Sequence, residues 1–181
     1  MYYVPNTYQH QNPYYIHAPM LYYEAPPGYW AMPAMPGNAN LPVDKGMMLK
    51  DYGPNPFVVN INQASKQNNT FRTALWTGKH LQVTLMSIKV GEDIGVEIHP
   101  TVDQFLRIEQ GQGIVQMGNT KDNLSFQRNI HDDSAIMVPA GTWHNVINTG
   151  NIPLKLYSIY APPNHPFGTV HVTKEDAMAE E

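Results

Sequence analysis

Four side chains in this sequence have the types and the spacing to hold a metal ion: Glu97, His99, Gln104 and His144. Glu97 and His99 are two apart, so on a strand both point to one face. Gln104 follows His99 past Pro100 and Thr101, with enough chain to turn and come back. His144 stands in a second stretch, Pro139-Ala140-Gly141-Thr142-Trp143-His144-Asn145. A carboxylate, two imidazoles and an amide oxygen suit a divalent transition metal such as Mn, Fe, Zn or Ni. Such a centre does Lewis-acid or O2 chemistry on a small molecule. A strand slip of one residue would put Asp103 in the place of Gln104. In the metal-free alternative Glu97 simply pairs with His99, and His144 is a hydrogen-bonded core residue.

Other polar residues carry less. Arg107 alternates with Gln104 and is expected to face out. Arg72 and Lys79 could reach an anionic substrate, but a solvated position is expected for each. Trp143 is expected to pack at the core or the rim. Tyr157 and Tyr160 face opposite ways on a regular strand, so one of them lines the interior. His165 and His171 suit no ligand spacing and are expected at the surface, as are His10, His17, His80 and His131.

The elements that must position these residues read as short strands between turn signals. Phe57–Ile61, Phe71–Trp76 and Leu81–Val90 come first. Val96–His99, Gln104–Glu109, Gly113–Met117, Ala135–Val138, His144–Asn148 and Leu154–Tyr160 come after them. The breakers include Gly91, Pro100, Gly111, Gly118-Asn119, Pro139-Ala140-Gly141 and Thr149-Gly150. Gln63–Thr70 is polar, a helical turn or a loop. Strands at this spacing, with no amphipathic helix among them, predict an all-β sandwich or barrel over 48–172. Thr173 with Asp176 three residues on predicts a capped short helix or tail over 173–181.

Residues 1–47 differ. They hold eight of the 11 tyrosines and eight of the 16 prolines, which leaves room for neither a long helix nor a central strand. An irregular, extended arm is expected. Its tyrosines offer amphipathic contact area for a protein assembly. Charged residues are 14% of the chain and hydrophobic ones 42%, so a core forms without a membrane span. With a net charge of −4 and no Lys/Arg cluster, neither nucleic acid nor an anionic membrane is an expected partner. There is no cysteine, which excludes disulfides and thiol chemistry. The N-terminus has no basic and no apolar region of a secretory signal, and a cytoplasmic location is the default.

The two site stretches resemble the two motifs of the cupin family. The first motif is Gly, five residues, His-x-His, three or four residues, Glu, six residues, Gly. This chain has Gly91, five residues, Glu97-x-His99, four residues, Gln104, six residues, Gly111. The second is Gly, five residues, Pro-x-Gly, two residues, His, three residues, Asn. Here Asp133 replaces the leading Gly, and Pro139, Gly141, His144 and Asn148 keep the spacing. The resemblance implies a double-stranded β-helix (jelly-roll) barrel with a metal in its mouth, its ligand positions Glu97, His99, Gln104 and His144. Relative to three His and one Glu, the net ligand charge stays at −1 but moves from one motif position to another.

The domain also looks like small bacterial cupins described as similar to mannose-6-phosphate isomerase. That likeness implies a homodimer and a small-molecule enzyme, either a sugar or sugar-phosphate isomerase or a dioxygenase. The alternative is a structural protein whose barrel is a scaffold or a non-catalytic binding module. Its Tyr/Pro-rich arm resembles segments of spore-coat proteins, so a spore coat is the alternative location.

Overall fold

A computed structural model describes residues 46–180. All the described residues belong to one compact unit. The expected Tyr/Pro-rich arm lies outside the described residues, apart from its last two positions. Two short helices flank nine strands: α1 (Ile61–Gln67), β1 (Arg72–Thr77), β2 (Gln82–Ile88), β3 (Asp103–Gln110), β4 (Gln112–Gly118), β5 (Phe126–His131), β6 (Ala135–Val138), β7 (Trp143–Asn148), β8 (Leu154–Ala161), β9 (Val170–His171) and α2 (Lys174–Glu180). They make a six-stranded sheet, β6-β3-β8-β2-β1-β9, and a three-stranded sheet, β5-β4-β7. Every pairing is antiparallel. The all-β expectation holds. No described helix is long and apolar enough to cross a membrane.

Strand alternation sorts the large sheet into inner and outer faces. Its registers align the inner side chains in rows. The first row runs Gln82–Tyr160–Gln104–Val138 and the second Ala74–Thr84–Ser158–Leu106–Ile136. The third is Arg72–Met86–Leu156–Ile108, and in the last Ile88 lies opposite Leu154. All of these residues are buried. The interior is therefore polar at one end and apolar at the other. The apolar end closes against Val115, Ile130 and Val146 of the small sheet, with Phe71, Ile94 and Ala177. Burying those side chains is the main favourable term for the barrel, on the order of 1.5–3 kcal/mol each. On the outer face α1 covers Leu75 and Leu85 through Ala64.

Several local expectations are corrected. Phe57–Asn60 pairs with no strand, and α1 begins at Ile61 because Asn60 caps it, its side chain accepting from the Gln63 N–H at 3.0 Å. Val96–His99 forms a single bridge, not a strand. β5, absent from the expected strands, has only Ile130 buried, so it shows no apolar alternation. β9 returns after the proline-rich loop to pair with β1. The α2 cap is as expected: the Thr173 N–H donates to Asp176 at 2.8 Å, and the Asp176 N–H to the Thr173 hydroxyl at 3.3 Å.

Candidate metal centre

Glu97 and His144 sit opposite each other on an isolated antiparallel bridge. The Glu97 N–H donates to the His144 carbonyl at 3.0 Å, and the His144 N–H to the Glu97 carbonyl at 2.9 Å. Directly opposed residues project to one side, so the bridge brings carboxylate and imidazole together. His99 joins them by strand-like alternation, and its carbonyl accepts from Gly141 at 2.9 Å. Gly141 has φ +77°, a conformation that suits glycine, which explains the glycine between Pro139 and His144. The two motifs are thus tied by backbone at both ends of Glu97–His99.

The ligand atoms of Glu97, His99 and His144 all lie within 4.8 Å of one another. Nε2 of His99 is 3.4 Å from Glu97 Oε1, and Nε2 of His144 is 3.3 Å from the same oxygen. Ligands about 2.1 Å from a shared ion stand roughly 3.0–3.4 Å apart in octahedral or tetrahedral geometry. His144 is fully buried, and both Nε2 atoms are buried without a hydrogen-bond partner. Nδ1 of His144 lies 3.0 Å from the Thr142 carbonyl. A carbonyl only accepts, so this nitrogen carries the proton, and a neutral ring presents a lone pair at Nε2. That lone pair faces a carboxylate oxygen at 3.3 Å. Two acceptors so placed require a proton or a cation between them. The three residues form a group that could hold a divalent metal.

Arg72 corrects the expectation of a solvated side chain. It is 1% exposed, because its register opposite Met86 and His171 turns it inward. Its Nη2 stands 3.9 Å from Glu97 Oε2, and its Nη1 points to His171 Nδ1 at 3.5 Å. Nε has no partner. Burial opposes ionisation of Glu97; with no ion between them, His144 and His99 as proton donors, together with the charge of Arg72, outweigh it and hold the carboxyl far below the usual range.

Gln104 lies inside, as expected, buried beside Tyr160, with both amide atoms unpartnered. Asp103 is exposed and accepts from the Ala140 N–H at 2.9 Å, so the strand has not slipped. Arg107 faces out and pairs with Asp133 and Glu109. Of the two tyrosines, Tyr160 lines the interior. It meets His99 edge-on at 5.5 Å between centroids, while Tyr157 packs on the outer face. Burial pushes the Tyr160 phenol up, which keeps it a neutral hydroxyl.

His165 and His171 are not surface residues. His171 is 4% exposed, and His165 stacks edge-on to Tyr160 at 5.0 Å. Burial, with Arg72 nearby, takes the His165 imidazole down to about 3. Gln82 holds that segment. Its amide accepts from the N–H groups of Asn164 and His165 at 3.3 and 3.0 Å and donates to the His165 carbonyl at 2.9 Å. No local signal marks Arg72, which the pairing of β1 turns inward, or the two histidines, which reach the site by a long return. His80, His131 and Lys79 are exposed as expected, and His10 and His17 lie outside the described residues.

A cleft of about 430 Å³ opens onto Glu97 and His99. Val96, Ile98, Lys121, Trp143 and Asn164 complete its lining. Trp143 is a rim residue, with the Lys121 ammonium 5.9 Å over its ring.

The Cupin domain family matches residues 84–160. An uncharacterized Bacillus subtilis protein, YrkC, is 67% identical over the whole of both chains. An uncharacterized protein of Acanthamoeba polyphaga mimivirus is 42% identical over 65% of this chain and 72% of its own. A Bacillus halodurans crystal structure superposes with a TM-score of 0.72 at 70% identity, covering 72% of this chain and 99% of that one.

Proposed function

The chain belongs to the cupin family, and from that premise we propose that it is a metal-dependent enzyme acting on a small molecule, its divalent transition metal held by Glu97, His99 and His144. One observation carries the reading. Two buried imidazole nitrogens stand 3.3 and 3.4 Å from one carboxylate oxygen with no hydrogen bond to complete them. Two imidazoles and one carboxylate are the donor set of non-haem iron(II) oxygenases, so iron is the favoured metal and dioxygenation the favoured reaction. An iron(II) ion would supply Lewis acidity and open positions for O2 and substrate.

The chain's own residues do the rest. Thr142 fixes the ring orientation of His144 through Nδ1. Arg72, 3.9 Å from Glu97, adds to the forces that favour its ionised form. The unpartnered Gln104 amide and Tyr160 hydroxyl are left to bind a ligand or water inside the barrel. Val96 and Ile98 give the cleft an apolar wall.

The test is plasma mass spectrometry on untagged protein purified without chelator, beside the Glu97→Ala/His144→Ala double variant. The expected result is close to one iron per chain, lost in the variant. Manganese or zinc in its place would keep the metal and move the reaction to sugar or sugar-phosphate isomerisation. A metal-free wild type that takes up none of these ions on reloading would overturn the proposal.

A further inference from the structure

The charges around the centre do not balance once a divalent ion is present. Glu97 contributes −1 and Arg72, 3.9 Å away, contributes +1. The two imidazoles act as neutral ligands, and Gln104 is an amide. The residues themselves therefore sum to zero, and a divalent ion leaves an excess of +2 in an interior that opens through the cleft. Uncompensated charge is costly there, on the order of several kcal/mol per ion. Among the described residues that line the cleft, Glu97 is the only carboxylate, and the rim adds another cation, Lys121.

The backbone that carries Lys121 is held in place. The residue comes after Thr120, which bridges to Asn123 in the tight turn between β4 and β5, with the Asn123 N–H donating to the Thr120 carbonyl at 3.1 Å. Gly118 lets that turn close, since a Cβ there would stand 1.9 Å from the Asn123 carbonyl oxygen. The neighbouring Asp122 is exposed and is not part of the cleft lining.

Resting on the metal reading above, we propose that the ligand of this cleft is a small carboxylate dianion. One carboxylate meets the metal centre and offsets half of the buried excess; the other pairs with Lys121 at the rim. Neutral sugars and alcohols of the same size supply no counter-charge and are excluded. Lys121 is then a specificity-determining residue and Arg72 the source of the imbalance.

The experiment uses the full chain loaded with zinc, its metal content measured in every sample. Calorimetry compares malonate with propane-1,3-diol, its neutral three-carbon counterpart, on the wild type and on Lys121→Glu. Lys121 is exposed, so the substitution leaves the core untouched, and thermal unfolding checks this. Malonate should bind the loaded wild type and the diol should not. Lys121→Glu should weaken malonate binding about five- to tenfold, the scale of losing one exposed pair and gaining a repulsion. The malonate affinity of the wild type should also fall with added salt. Zinc-loaded protein that binds the diol as well as malonate, or malonate equally with Glu at 121, overturns the dianion proposal while leaving the metal site standing. Protein that takes up no metal overturns the metal reading itself, and this inference with it.

Discussion

Replacing Arg72 by Met should destabilise the metal-free protein much more than the loaded one. At 3.9 Å, and with an effective dielectric near 20, unit charges interact by about 4 kcal/mol. Breaking a buried pair by removing one partner costs about 3–5 kcal/mol. The separation is long for an ion pair, so the lower end applies, about 3 kcal/mol. In a chain of this size that lowers Tm by about 6–12 °C. A divalent ion on Glu97 would supply the compensation that Arg72 gave, so the loaded variant should lose roughly 1 kcal/mol. By linkage the difference of about 2 kcal/mol returns as metal affinity, roughly 30-fold tighter in the variant. Urea unfolding with chelator and with zinc measures the stabilities, and a competition titration measures the affinity. Equal destabilisation in both forms, or weaker metal binding by the variant, would refute the charge reasoning.

Three further outcomes are expected. Gln104→Glu should bind metal at least about tenfold more tightly, and it should unfold more easily in chelator, where two carboxylates share the interior; titration and thermal unfolding read both. Gln82→Ala removes three bonds to Asn164 and His165, so it should cost about 1–3 kcal/mol and speed amide exchange at His165. The folded His165 imidazole lies near 3 while the unfolded one lies near 6.5, so below about pH 6.5 the unfolded chain takes a proton that the folded chain refuses. Stability should thus be intact above that pH and fall toward pH 3 by up to about 1.4 kcal/mol per unit, a slope that His165→Asn should lack.

The donor triad was legible because its order is local. Glu97-x-His99 alternates on extended chain, and the Pro139-x-Gly141 turn sets His144 a few residues on. The surroundings of the triad were not legible, because they depend on which strands become neighbours. Arg72 is one more cation in the sequence until β9 pairs with β1 and β1 with β2. Both pairings turn its side chain toward Glu97, against the ordinary preference of arginine for water. His165 and His171 lie far along the chain from Glu97 and reach it through a loop that Gln82 fastens. β5 eluded pattern reading because only Ile130 of its six residues is buried, and a strand held mainly by its neighbour's backbone leaves no periodic trace. α1 shows the opposite case, where a local cap at Asn60 outweighed the β-branched run before it.

The strand order has a consequence for how the protein comes into being. β8 lies between β3 and β2, and β9 completes the edge beside β1. While the chain is still emerging from the ribosome, β2 and β3 are both made, yet neither has its shared partner. Gln104 lacks Tyr160 beside it, and Arg72 lacks His171, until residues 154–171 appear. Residues 154–171 are thus the keystone of the arch. An ion held by Glu97, His99 and His144 would gain its full surroundings only once residues 154–171 have folded in.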